Sequence, residues 1–130
     1  MRVAVCGGVG WTDTATLCAE LDRLLAVSSG TTEMVVLTGM APGADELARD
    51  WAQRNQVELV AECLDAGEYP TPMHDYNEML IRCQPDIVLA FKDGFDPTAL
   101  RRGHEPGTEH LVRLARQAQI KVRVLGARQT

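Results

Sequence analysis

Five short apolar runs mark the chain, and between them apolar positions recur at helical spacing. Arg2 to Cys6 is apolar from Val3 on, Val35-Val36-Leu37 ends at Thr38-Gly39, and Asp86 to Phe91, after Pro85, is apolar from Ile87 on. These three are continuously apolar. Val57 to Cys63 and Ile120 to Leu125 alternate with charged residues. Runs this short, bounded by glycine, proline and polar residues, read as strands. Leu17, Cys18, Leu21, Leu24 and Leu25 line one face of a first helix, with Thr12 or Asp13 as its N-cap. Leu47, Ala48, Trp51 and Ala52 give a second helix closed by Asn55. Met73, Asn77 and Leu80 give a third, ended by Pro85. Leu111, Leu114, Ala115 and Ala118 give a fourth that opens at Gly107-Thr108. Residues 28–32 and 65–72 read as loops. Lys92 to Pro106 is a longer one, of a length often used for lids.

Strands that alternate with helices predict an α/β fold, a three-layer sandwich around a five-stranded parallel sheet. The strand order follows from burial. Central strands read as unbroken apolar runs, whereas edge strands show polar positions. The third strand carries Glu58 and Glu62, and the fifth carries Lys121 and Arg123. Both belong at edges, which predicts the order 3-2-1-4-5. The order 2-1-3-4-5 would put the apolar second strand at an edge. In 3-2-1-4-5 the strand order reverses between strands one and four, and ligands bind in the crevice outside the carboxyl ends there.

The 130 residues, 45% of them apolar, suit a single domain over residues 1–126 with a short tail at 127–130. The net charge of −5 argues against a general nucleic-acid binder, which needs a basic face, and against an anionic membrane surface. No apolar run approaches the ~20 residues of a membrane span. The N-terminus enters a strand at once, with no signal-peptide pattern. Cys6, Cys18, Cys63 and Cys83 form no CxxC pair, so reduced thiols in the core of a cytoplasmic protein are expected.

Three turns concentrate the candidate chemistry. The first holds Gly7, Gly8, Gly10, Trp11 and Thr12. The second holds Thr38, Gly39, Met40, Gly43, Ala44 and Asp45. The third ends in Gly107, Thr108 and Glu109. They follow strands one, two and four, neighbours in the expected order, and each leads to a helix N-terminus, whose free N–H groups and dipole favour an anion. One such turn is ordinary in an α/β protein. Three that converge predict a ligand of phosphate or nucleotide size. The G-x-G-x-x-G fingerprint is incomplete and no acidic residue ends strand two, which sets NAD aside. His74, His104 and His110 lack metal-ligand spacing, and no cofactor or metal is expected. Trp11 could stack on a base or cover the core. Cys6 reads as a buried thiol more than a nucleophile. Tyr76 and Asn77 face the ligand from the third helix in this reading.

Arg2 to Gly7 with Trp11-Thr12-Asp13, Gly39 to Asp45 with Trp51-Ala52, Pro85 to Phe91, and Gly107-Thr108 together resemble the SLOG superfamily, in particular its small YspA-like branch of bacteria and phages. The resemblance covers nearly the whole chain, and G-A-D-x-x-A-x-x-W-A is its most specific part. It implies a Rossmann-like fold, a nucleotide-type ligand and kinship with the Lonely Guy phosphoribohydrolases and DprA. It is compatible with a homodimer, although no surface stripe argues for one.

Departures from the hydrolase pattern shape the functional expectation. The hydrolases carry a carboxylate three residues after the threonine of P-G-G-x-G-T-x-x-E. Here that position is Leu111. Their arginine before the methionine of the third helix is missing from His74 to Met79. Cleavage of an N-glycosidic bond needs a carboxylate, and Glu109 and Asp45 are the available substitutes. Asp45, like Glu46, could equally be an ordinary first-turn acid favoured by the helix dipole. Arg101 and Arg102 lie in an insertion before Gly103 and are either phosphate ligands or solvated loop residues. The expectation is a nucleotide-binding sensor or sequestering module. A nucleotide N-glycosidase is the first alternative and a DprA-like nucleic-acid accessory the second.

Overall fold

The computed structural model describes residues 1–28, 34–39, 42–60, 73–98 and 106–126. The elements are β1 (Arg2–Gly7), α1 (Thr14–Ser28), β2 (Val35–Leu37), α2 (Ala44–Arg54), β3 (Glu58–Val60), α3 (Met73–Arg82), β4 (Ile87–Phe91), α4 (Gly107–Gln117) and β5 (Lys121–Leu125). All strands are parallel, in the order β3-β2-β1-β4-β5. β4 is buried along its whole length, while β3 and β5 keep exposed charged positions. The expected edges are therefore the edges.

Side-chain alternation divides the core between the two faces of the sheet. Val3, Val5, Val36, Leu89 and Phe91 face α1 and α2, where Leu17, Leu21, Ala48 and Trp51 meet them. Ala4, Leu37 and Val88 face α3 and α4 through Leu80, Leu111 and Ala115. Each fully buried leucine stabilises the fold by about 1.5–3 kcal/mol. Trp51 is buried but keeps its polar edge satisfied, because Nε1 donates to Asp22 Oδ1 at 2.9 Å.

Helix ends explain the element boundaries. Asp13, rather than Thr12, caps α1, with its carboxylate accepting from Thr16 N at 3.0 Å and Thr16 Oγ1 at 2.6 Å. α2 ends when Gln56 N–H reaches Gln53 O and Val57 N–H reaches Ala52 O. α4 ends the same way at Gln119 and Ile120. α3 also ends on a left-handed residue, Gln84, but Pro85 has no N–H for the second bond.

Two expectations need correction. The buried face of α4 comprises Thr108, Leu111, Val112 and Ala115 rather than Leu111, Leu114, Ala115 and Ala118. Ala118 is the exposed C-cap, and the helix is most deeply covered at its N-terminal turn. Cys6, Cys18 and Cys83 are free thiols but only half-buried, packed at the margins of the two core clusters.

Candidate functional site

The switch point lies between β1 and β4, paired in register from Val3↔Ile87 to Gly7↔Phe91. Beyond that last pair, Gly8 N–H donates to Phe91 O at 3.0 Å. Gly8 O then accepts from Trp11 N at 3.1 Å and from Ala44 N, the first residue of α2, at 3.3 Å. The turn after β1 is thus stitched to β4 and to the start of α2.

The glycines here divide into two kinds. A Cβ on Gly7 would lie 2.3 Å from Phe91 O and 2.7 Å from Ala44 Cβ. One on Gly43 would lie 2.3 Å from Gly8 O and 2.6 Å from Val9 O, and Gly43 has φ +83°. These two glycines let pieces of backbone approach each other. Gly8 and Gly10 differ: neither has a left-handed φ, the nearest atom to a Cβ on Gly8 is 3.9 Å away, and Gly10 has nothing within 4 Å. Between them Val9 is 68% exposed. The fold itself does not require glycine at 8 or 10.

At the end of β2, Thr38 is fully buried and its Oγ1 donates to Val5 O at 3.1 Å. Gly39 O accepts from Arg49 of α2 at 2.5 Å. Trp11 lies in the core, its ring 5.6 Å from that of Phe91, with Nε1 donating to Asp13 O at 3.1 Å. Its ring is therefore a core element rather than an exposed stacking surface. Thr12 is exposed and its carbonyl accepts from Thr14 N.

On the α4 side, Glu109 is buried, with 4% exposure. One carboxylate oxygen is 2.6 Å from Lys92 Nζ, and the other accepts from Asp96 N at 3.0 Å. This ties the segment after β4 to the first turn of α4. Asn77 of α3 is also buried. Its amide nitrogen donates to Gly107 O at 2.8 Å and lies 3.0 Å from His110 Nδ1. A carbonyl only accepts, so that nitrogen is the NH2 group and His110 Nδ1 must accept from it. His110 accordingly carries its proton on Nε2. Burial pushes the Cys6 thiol far up, and the Asp45 and Glu109 carboxylates add to this while Lys92 opposes them. The residue keeps some surface exposure, so an electrophile that reaches it would meet the protonated thiol rather than a thiolate.

A family model, that of the YspA, cpYpsA-related SLOG family, matches residues 1–69. The chain belongs to this SLOG family. No curated protein and no solved structure shows a significant match. The matched part of this SLOG domain runs from β1 past β3 and contains the first two turns, with Gly7, Gly8, Gly10, Gly39, Gly43, Ala44 and Asp45. Gly107, Thr108 and Glu109 lie beyond it.

Met40, Arg101 and Arg102, and the side chain of Tyr76, lie outside the described residues. Among the described residues no group of three metal-ligating side chains occurs, and no helix is long and apolar enough to cross a membrane. A groove of about 590 Å³ between α1 and α2, lined by Thr14, Leu47, Asp50, Gln53 and Arg54, contains none of the turn residues. Sequence reasoning missed Lys92, Arg49 and Asp96 as site residues. Alternation along β4 could have placed Lys92 on the face of Val88 and Ala90, towards α4.

Proposed function

We propose that this SLOG domain binds a nucleotide or nucleotide-derived metabolite at the carboxyl ends of β1, β2 and β4, as a sensor or sequestering module. The observation that carries this reading is the pair Gly8 and Gly10. They stand at the switch point, the space where their side chains would be is open, and nothing in the fold demands glycine there. Glycine in such a position gives a ligand direct access to backbone N–H groups. The N-terminal turn of α4 lies across the same edge, with no acceptor for the amides of Thr108 and Glu109 among the described residues. Family membership supports a nucleotide-type ligand.

Two observations weigh against the N-glycosidase alternative. Leu111, at the position of the hydrolase carboxylate, is fully buried in the core. Glu109 is committed to Lys92 and to Asp96 N–H rather than presented to a water. Against the nucleic-acid alternative stands the net charge of −5.

Native mass spectrometry of the purified protein, followed by calorimetry with AMP, GMP, CMP and UMP, tests the proposal. A co-purified or added nucleotide-type ligand bound one per chain, without release of the base, is the expected result. Release of the base with turnover would replace the binder by the glycosidase. No binding of any nucleotide would end the nucleotide reading.

A further inference from the structure

Lys92 is the first residue after β4, at the switch point itself. Its backbone N–H donates to Leu125 O of β5, which fixes where its side chain begins. On the other strand of the switch point, Cys6 and Gly7 pair with Ala90 and Phe91. By alternation Lys92 shares the face of Val88 and Ala90, and its Nζ reaches Glu109 on α4 at 2.6 Å. An ammonium group carries three N–H donors. Glu109 takes one, and among the described residues no second acceptor stands within hydrogen-bond distance. The Lys92 side chain is 22% exposed and the Glu109 side chain 4%, so the lysine is the member of the pair that a ligand can reach.

Two carboxylates, Asp45 and Glu109, act on the Cys6 thiol at this edge, and Lys92 acts against them. An anion approaching the α4 N-terminus meets Glu109 in that helix's first turn. Without a cation beside it, that buried carboxylate would repel the anion at short range, where little water screens the charge. Glu109 therefore needs Lys92, and its two oxygens, one on Nζ and one on Asp96 N–H, hold the lysine and the segment after it in one place.

Resting on the nucleotide-binding reading, we propose that Lys92 is the crevice residue that pairs with the phosphate of the ligand, and that Glu109 is the positioning residue that holds it. The ammonium group, held in a fixed place by the carboxylate, presents a compact positive charge to the phosphate, the form in which lysine serves phosphate groups. Nucleosides, which lack the phosphate, bind without its help.

The test compares wild type with Lys92→Met and Lys92→Arg, using pyrophosphate, the four nucleoside monophosphates and the matching nucleosides as probes in calorimetry and thermal melting. The double variant Lys92→Met/Glu109→Gln removes both charges together and serves if the single methionine variant does not fold. Pyrophosphate should raise the melting temperature of wild type but not that of the methionine variants. Monophosphate affinity should fall at least tenfold in them and stay within about threefold in Lys92→Arg, while nucleoside affinity is unchanged. Equal monophosphate affinity in wild type and the methionine variants would overturn the proposal. So would parallel loss of nucleoside and monophosphate binding, which marks a structural role. Wild type that binds nucleosides but neither monophosphates nor pyrophosphate would overturn it while leaving a nucleoside-type ligand. Wild type that binds none of the probes would overturn it together with the nucleotide reading.

Discussion

Gly43→Ala provides the sharpest test of how the glycine turns are built. Gly43 has φ +83° and ψ −128°, a region that residues with a side chain scarcely enter. Holding alanine there costs about 1–3 kcal/mol in backbone strain. Its Cβ would also stand 2.3 Å from Gly8 O and 2.6 Å from Val9 O, both backbone atoms that cannot rotate away. Moving the β1 turn aside adds a further 1–3 kcal/mol, in line with overpacked sites. It also threatens the 3.3 Å bond from Ala44 N to Gly8 O, worth about 1 kcal/mol. Alanine stiffens the unfolded chain and returns about 0.4–1 kcal/mol. The net expectation is a loss of roughly 3–4 kcal/mol, a large share of the 5–15 kcal/mol typical of a domain. At this chain length the melting temperature should drop by roughly 10–15 °C. Gly10→Ala is the matched control: with open space and no left-handed φ, it should change stability by less than about 1 kcal/mol, in the stabilising direction if at all. Circular dichroism melts and urea titrations of both variants measure this. A Gly43→Ala protein that melts within about 2 °C of wild type would refute the argument that Gly43 is a backbone-contact glycine.

Three further outcomes follow from other parts of the chain. Glu109→Gln should cost about 2 kcal/mol, less than for a fully buried pair because Lys92 is partly exposed, and hydrogen exchange at the Asp96 amide should accelerate; unchanged exchange there would show that Glu109 does not anchor the segment. The raised thiol of Cys6 stays protonated in the folded chain at pH 8, so Cys6 should react with iodoacetamide far more slowly than Cys18 or Cys83, as followed by peptide mass spectrometry. Its linkage to stability has a definite sign: the unfolded thiol ionises near pH ~8.5 while the folded one keeps its proton, so this contribution is full at neutral pH and lost as pH rises above that value. Gln119→Gly, at the left-handed residue closing α4, should stabilise the fold by about 0.5–1 kcal/mol in urea titration, since glycine adopts φ +61° without strain; a destabilised variant would show that the glutamine side chain contributes contacts there.

The fold could be read because burial leaves its pattern in the strands. The charged positions of β3 and β5 placed them at the edges, and one allowed topology remained. The site was less legible, for reasons visible in single residues. A glycine is written the same way whether its missing Cβ faces protein, as at Gly7 and Gly43, or open space, as at Gly8 and Gly10. Trp11 at a turn could have faced a base or the core, and only its packing on Phe91 decides for the core. Asn77 was expected to face a ligand, but its amide is bonded to Gly107 O and set against His110. Lys92 at a strand end reads as a solvated charge, because its partner lies 17 residues further along the chain. The covered face of α4 shifted by one turn because the helix is sealed by tertiary contacts at its N-terminus, which hydrophobic periodicity does not register.

The two kinds of glycine at the switch point have an evolutionary consequence. Positions 7 and 43 carry the architecture, because any side chain there collides with backbone, whereas positions 8 and 10 have room for a Cβ. A lineage can therefore sample side chains at 8, 9 and 10, and so explore new ligands, at less cost to folding than at 7 or 43. Selection on recognition and selection on stability act on separate letters of the same short turn. A saturation library over residues 7–10 should accordingly retain folded members almost freely at the last three positions and hardly at all at the first.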